Sequence, residues 1–117
     1  MDNRLNIKNN SENRISVEVC QDSTLTINDV NHIEYYLSNF IEPDKEINES
    51  IVGGKNEWDN FICSSTNKKL NIFFFNLDTL KKYNDFNIII SNKMYQHYEF
   101  TKQELEQLNW QITYSEK

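Results

Sequence analysis

Alanine is absent from this chain, and glycine and proline are nearly so, with two glycines and one proline in 117 residues. The glycine shortage excludes one class of function at once. Phosphate-binding loops and dinucleotide folds need a glycine-rich turn that lets backbone N–H groups approach a pyrophosphate, and the lone pair Gly53-Gly54 cannot build one. Cysteine and histidine are scarce as well. Cys20, Cys63, His32 and His97 stand singly, with no Cys-x-x-Cys or His-x-x-x-His spacing, so no metal motif is present and no cofactor is expected. No apolar run approaches the roughly twenty residues that span a bilayer. The start, Met1-Asp2-Asn3-Arg4-Leu5, lacks the basic and apolar regions of a secretory signal. A cytoplasmic protein with two free thiols is the expectation.

Positive charge is also short. Twelve Lys and Arg face eighteen Asp and Glu, a formal net charge of −6. Nucleic acid is a poor partner for such a chain, because phosphate binding needs a concentrated basic face, and an anionic membrane surface is a poor one for the same reason. A basic protein partner suits it.

Asparagine is abundant, at eighteen residues, in a composition that AT-rich codons also produce. Apolar residues make up only 38% of the chain but aromatics 13%, so a few large rings must supply most of the burial. The richest stretch is Leu70-Asn71-Ile72-Phe73-Phe74-Phe75-Asn76-Leu77. As a strand it places Leu70, Ile72 and Phe74 on one face and Phe73, Phe75 and Leu77 on the other. A strand apolar on both faces needs cover on both, and the fold is organised around it.

The remaining elements follow from spacing. Leu5-Asn6-Ile7 and the cleanly alternating Ile15–Cys20 suggest a hairpin over about 4–20, preceded by a few disordered residues. Thr26 with Asp29, and Leu25 with Val30, form a capping box and staple that open a helix over 27–41. Its stripe is Val30, Ile33, Leu37, Phe40 and Ile41, and Pro43 ends it. Residues 42–57 read as a long acidic connection. Trp58–Ser65 reads as a strand in hairpin with 69–76, and 78–83 as a short helix. Ile88-Ile89-Ile90 reads as a buried run that turns into a strand over Met94–Phe100. Thr101 with Glu104, and Phe100 with Leu105, start a helix over about 101–110, and Gln111–Tyr114 adds an edge strand. The expected architecture is one α+β domain over 1–117, a mostly antiparallel sheet of about five to six strands with the two helices packed on it.

Chemistry-bearing clusters are few. Cys63 or Cys20 beside a histidine would be needed for thiol catalysis, but a thiol in a sheet interior behaves as a small apolar residue. Tyr95, His97 and Glu99 share a strand face that could hold an acid–base cluster or a small ligand; alternate polar residues on a strand are more often its solvent face. The more distinctive feature is the acidic segment: Glu42, Asp44, Glu46, Glu49, Glu57 and Asp59 around Trp58. An aromatic anchor ringed by carboxylates suits an interface with a basic protein; the plain alternative buries Trp58 in the core. These observations favour a non-enzymatic binding protein, an immunity protein that neutralises a basic bacterial toxin such as a nuclease. A phage-encoded inhibitor of a host defence protein is the variant of that reading. A small-molecule-binding or enzymatic domain using Tyr95, His97 and Glu99 is its competitor. The sequence sets no oligomeric state.

Overall fold

The computed structural model describes residues 1–116. Its centre is β4 (Leu70–Asn76), whose first six residues are all buried. The strand lies in the middle of a three-stranded antiparallel sheet, flanked by β2 (Ile15–Cys20) and β5 (Gln96–Phe100). Its two faces feed two separate cores. Leu70, Ile72 and Phe74 enter one, while Phe73, Phe75 and the following Leu77 enter the other, the division that alternation along a strand demands.

The first core lies between this sheet and a second one, ordered β3-β1-β6, in which β1 (Asp2–Asn9) is central. β3 (Glu46–Ile51) runs antiparallel to β1, and β6 (Gln111–Tyr114) runs parallel to it. Leu5, Ile7, Ile112 and Tyr114 face Leu70, Ile72 and Phe74 across this core, joined by Trp58, Ile62, Leu105 and Trp110. The second core is roofed by helices: α1 (Ile33–Ser38), α3 (Leu77–Tyr83) and α4 (Phe86–Ser91) contribute Ile33, Tyr36, Leu80, Phe86 and Ile89. The fold is therefore α+β, with six strands among the described residues divided between two sheets of three.

Several local expectations change, each for a visible reason. Residues 4–20 do not form a hairpin: β1 and β2 belong to different sheets. Asn9, fully buried between them, donates to the carbonyls of Asn13 and Ile41 and accepts from Ser11, so it pins the crossing. The first residues are not frayed, because β1 begins at Asp2 and that side chain is buried.

The helix expected over 27–41 is a single 3-10 turn (Ile27–Asp29) followed by the short α1. The Thr26–Asp29 box forms, but the chain is extended at Val30 and His32. There the N–H of Asn31 donates to the Tyr36 hydroxyl instead of continuing a helical ladder. Ile41 leaves the expected stripe altogether, bridging to Ile15 and joining the other core.

Trp58–Ser65 is not a strand: α2 spans Glu57–Cys63. Its apolar residues Trp58, Phe61 and Ile62 stand at i, i+3 and i+4, the helical period. Ile88–Ile90 belongs to helix α4 for the same reason, with Phe86 and Ile89 buried, Ile88 exposed, and Asp85 accepting from the N–H of Asn87 at its start. The connection 42–57 contains β3, in which Ile47, Glu49 and Ile51 alternate with Glu46, Asn48 and Ser50. The later elements agree with their patterns. α5 (Lys102–Gln107) carries the Thr101–Glu104 capping box, and it ends where Asn109 and Trp110 take left-handed φ of 55° and 59°. No helix among the described residues is long and apolar enough to cross a membrane.

Candidate functional site

The acidic segment divides into three groups with different surroundings. Trp58 and Asp59 belong to the framework. Trp58 is 3% exposed, packs edge-on against Phe61 at 5.3 Å and sits in the core between the sheets. The exposed anchor envisaged at Trp58 is thus a core residue, because α2 turns its apolar stripe inward. Its indole Nε1–H has no acceptor among the described residues. Asp59 accepts from Arg4 at 2.9 Å and faces Lys102 Nζ at 3.2 Å. Burial would raise the Asp59 carboxyl, but these two cations outweigh it and hold the carboxyl below its usual range.

The second group is solvated. Asp44 and Glu46 are exposed, and Glu42 pairs with Arg14 at 3.2 Å with both side chains about half exposed. Glu46 accepts from Gln111, and Glu57, partly buried at the start of α2, accepts from Asn60. Pairs of this kind on a surface contribute little to stability.

Glu49 forms the third group alone. It stands opposite Leu5 in the β1–β3 register, and its strand neighbours Ile47 and Ile51 pack on the inner core. Cross-strand partners share a face, so Glu49 projects toward the space between the sheets. It is partly buried, yet among the described residues its side chain makes no hydrogen bond and no ion pair. Burial raises its carboxyl above the usual range, and the charge of Glu18 on β2 adds to the effect.

Glu18 is raised as well, again chiefly by burial. The Tyr36 hydroxyl donates to it and opposes the shift, while Asp29 reinforces it. β2 and β3 are each an edge strand of their sheet, so two carboxylates without a cationic partner among the described residues sit on edge strands, one in each sheet. The sequence pattern brings out Glu49 among the acidic residues but not Glu18, which alternates with Ile15, Val17 and Val19 and so shares a face with Ser16 and Cys20. What marked it was its neighbour in that alternation: Cys20 is buried, so the second face of β2 is covered too.

The thiols and the β5 face differ from these carboxylates. Cys20 is buried and its thiol is pushed up to about 12 by burial and by the nearby charge of Glu18, so it is held protonated. Cys63 is exposed at the end of α2, and neither cysteine is in a disulfide. A thiol reagent should therefore modify one cysteine rapidly in the native protein and the second only on unfolding. Two fast equivalents, or none after denaturation without reductant, would contradict this.

His97 stacks on Phe73 at 4.5 Å, and its Nε2 lies 3.0 Å from Asn71 Oδ1. Burial lowers its pKa against the pull of Glu99. Glu99 takes bonds from Asn67 and Lys69, and Tyr95 meets Phe73 and Phe75 edge-on. The face envisaged as open thus lies mainly against the helical layer, with Tyr95 and His97 partly buried and only Glu99 exposed.

Comparison with protein-family models, with curated proteins and with solved structures finds no match to this chain. Among the described residues no group of three His, Cys, Asp or Glu side chains is placed to hold a metal ion.

Proposed function

We propose that this chain is a binding protein that neutralises a basic protein, acting as an immunity protein toward a toxin such as a nuclease. The observation that carries the reading is Glu49, a carboxylate on an inward-facing position of an edge strand with no cation to pair it. A partly buried charge without a partner is costly to the fold that holds it. An arginine or lysine from a partner removes that cost on docking, and Glu18 on the neighbouring edge strengthens the attraction. The exposed Asp44 and Glu46, with Glu42 near them in the chain and Glu57 past the far end of β3, supply the longer-range field that speeds encounter. Carboxylates so arranged compete with nucleic-acid phosphates for a basic cleft.

Two opposite effects of one substitution test this. Glu49→Gln should stabilise the free protein at neutral pH by about 1 kcal/mol, a usual size for relieving an unfavourable charge. The sign follows from linkage: a carboxyl raised in the folded state contributes stability at low pH that is lost as pH rises through the folded pKa. The same variant should weaken partner binding by about tenfold or more. The biological readout is growth rescue, in which a cell expressing the product encoded immediately upstream survives only when this chain is co-expressed. Glu49→Lys should remove rescue while the purified variant keeps a cooperative melt. Glu46→Lys with Glu57→Lys should slow association and flatten its salt dependence, since exposed charges are screened beyond about 8–10 Å at ordinary ionic strength. Full rescue by all of these variants would sink the proposal.

A further inference from the structure

A roomy groove lies away from Glu49, at the β5 edge of the β4 sheet. The β4–β5 ladder ends at Phe74↔Gln96, two residues before β4 itself ends, and the preceding chain departs toward α4, where the N–H of Met94 donates to the carbonyl of Ile89. The opening left by this departure is a groove of about 650 Å³. That is within the range of small-molecule sites, roughly 300–1,000 Å³.

Its walls are aromatic: Tyr83 from α3, Tyr95 and Tyr98 from the β5 segment, with Phe74 and Tyr114 at its base. Several polar groups at its rim can donate and have no side-chain partner among the described residues. The Lys93 ammonium, the Gln96 amide and the hydroxyls of Thr79, Tyr83 and Tyr95 line the groove, and none makes a side-chain hydrogen bond among the described residues. The one carboxylate at the rim among the described residues is already engaged. Glu116 takes bonds from Asn13 and Tyr114, and the Tyr98 hydroxyl is tied to the backbone of Ser115. The groove therefore offers stacking surfaces and unused donors, with one unpaired cation.

We infer that this groove is a binding site for a small planar aromatic anion, whose ring lies among Tyr83, Tyr95 and Tyr98 and whose carboxylate meets Lys93. Aromatic rings favour offset or edge-on contact with another ring, and a charge-assisted bond from an ammonium is the strongest one available at the rim. The site is independent of the acidic edges and carries no assumption about the protein partner.

The test uses two probes of one shape, 1-naphthoate and the neutral 1-naphthamide, titrated into the ¹⁵N-labelled full chain. Naphthoate should shift the amide signals of residues 93–98 and 114–116, and should bind roughly fivefold more tightly than naphthamide, the scale of one solvent-accessible ion pair. Lys93→Met should abolish that preference, and Glu116→Gln should leave it in place. Lys93 is exposed, so its replacement is not expected to disturb folding, and an unchanged thermal melt checks this. Equal affinity for the two probes, shifts confined to other residues, or no naphthoate binding at millimolar concentration would overturn the inference.

Discussion

Phe74→Ala should destabilise the protein by about 3–5 kcal/mol, the usual cost of deleting a fully buried ring. Phe74 is 1% exposed and lies where the two sheets meet: its ring is 4.5 Å from that of Tyr114 on β6 and 4.9 Å from that of Tyr98 on β5. Truncation leaves a cavity that these neighbours on β5 and β6 cannot easily fill, because each is already fixed by its own ladder. The loss is a large part of the 5–15 kcal/mol typical of a whole domain. Equilibrium unfolding in urea reads it directly, as a fall in midpoint at constant slope. A loss below about 1 kcal/mol would mean that β4 does not hold the sheets together. Since Phe74 also floors the tyrosine groove, the variant should lose naphthoate binding as well.

The success with β4 and the failure with its neighbours have one cause. A strand buried on both faces announces itself through composition alone, since no period is needed to recognise Ile72-Phe73-Phe74-Phe75. The same rule misreads short helices. Trp58-Asp59-Asn60-Phe61-Ile62 and Phe86-Asn87-Ile88-Ile89-Ile90 are too brief to display more than one turn of helical period, and clusters of β-branched and aromatic residues then resemble strands. In both, the cue was the start signal: Asp85 caps α4 through its side chain, and Glu57 and Asp59 place negative charge in the first turn of α2. Capping physics alone was not enough either. The Thr26–Asp29 box formed, but Tyr36 took the Asn31 N–H and helix growth stopped there.

Topology was less legible than the elements. Nothing local told β1 and β2 apart from a hairpin; what separates them is Asn9, whose buried amide ties the crossing to Ile41, 32 residues away. The candidate site was half visible for a similar reason. Residue type places Glu49 among acidic neighbours, whereas its importance comes from register: opposite Leu5 it points inward, and a shift of one residue would turn it to solvent.

Asp2 illustrates the same dependence on distant partners, and Asp2→Ala should cost about 3 kcal/mol, near the lower end for breaking a buried ion pair. The Asp2 side chain is fully buried. Its carboxylate accepts from Arg4 Nη2 at 2.7 Å and Arg4 Nε at 3.0 Å, and from the Trp58 N–H at 3.0 Å, tying β1 to the first turn of α2. Removing it leaves that N–H without an acceptor, a loss of about 1–3 kcal/mol by itself. Arg4 is not stranded, since Asp59 remains at 2.9 Å and the Trp110 ring lies 4.0 Å from its guanidinium carbon. That retained support is why the cost should fall below the maximum.

The pH dependence separates this pair from Glu49. Burial would raise the Asp2 carboxyl, but the Arg4 guanidinium and the backbone N–H groups of Arg4 and Trp58 outweigh it and hold it below the usual range. A carboxyl depressed in the folded state contributes stability above its unfolded pKa, about 3.9, and that contribution is lost as pH falls through the folded value. Wild-type protein should therefore lose stability steeply below about pH 4. Asp2→Ala should flatten that acid limb, whereas Glu49→Gln should alter only the opposing term that favours low pH. Urea midpoints of the two variants at pH 7 and pH 3 distinguish these outcomes. An Asp2→Ala protein with wild-type midpoints at both would show that the Asp2–Arg4 pair contributes nothing to holding β1 against α2.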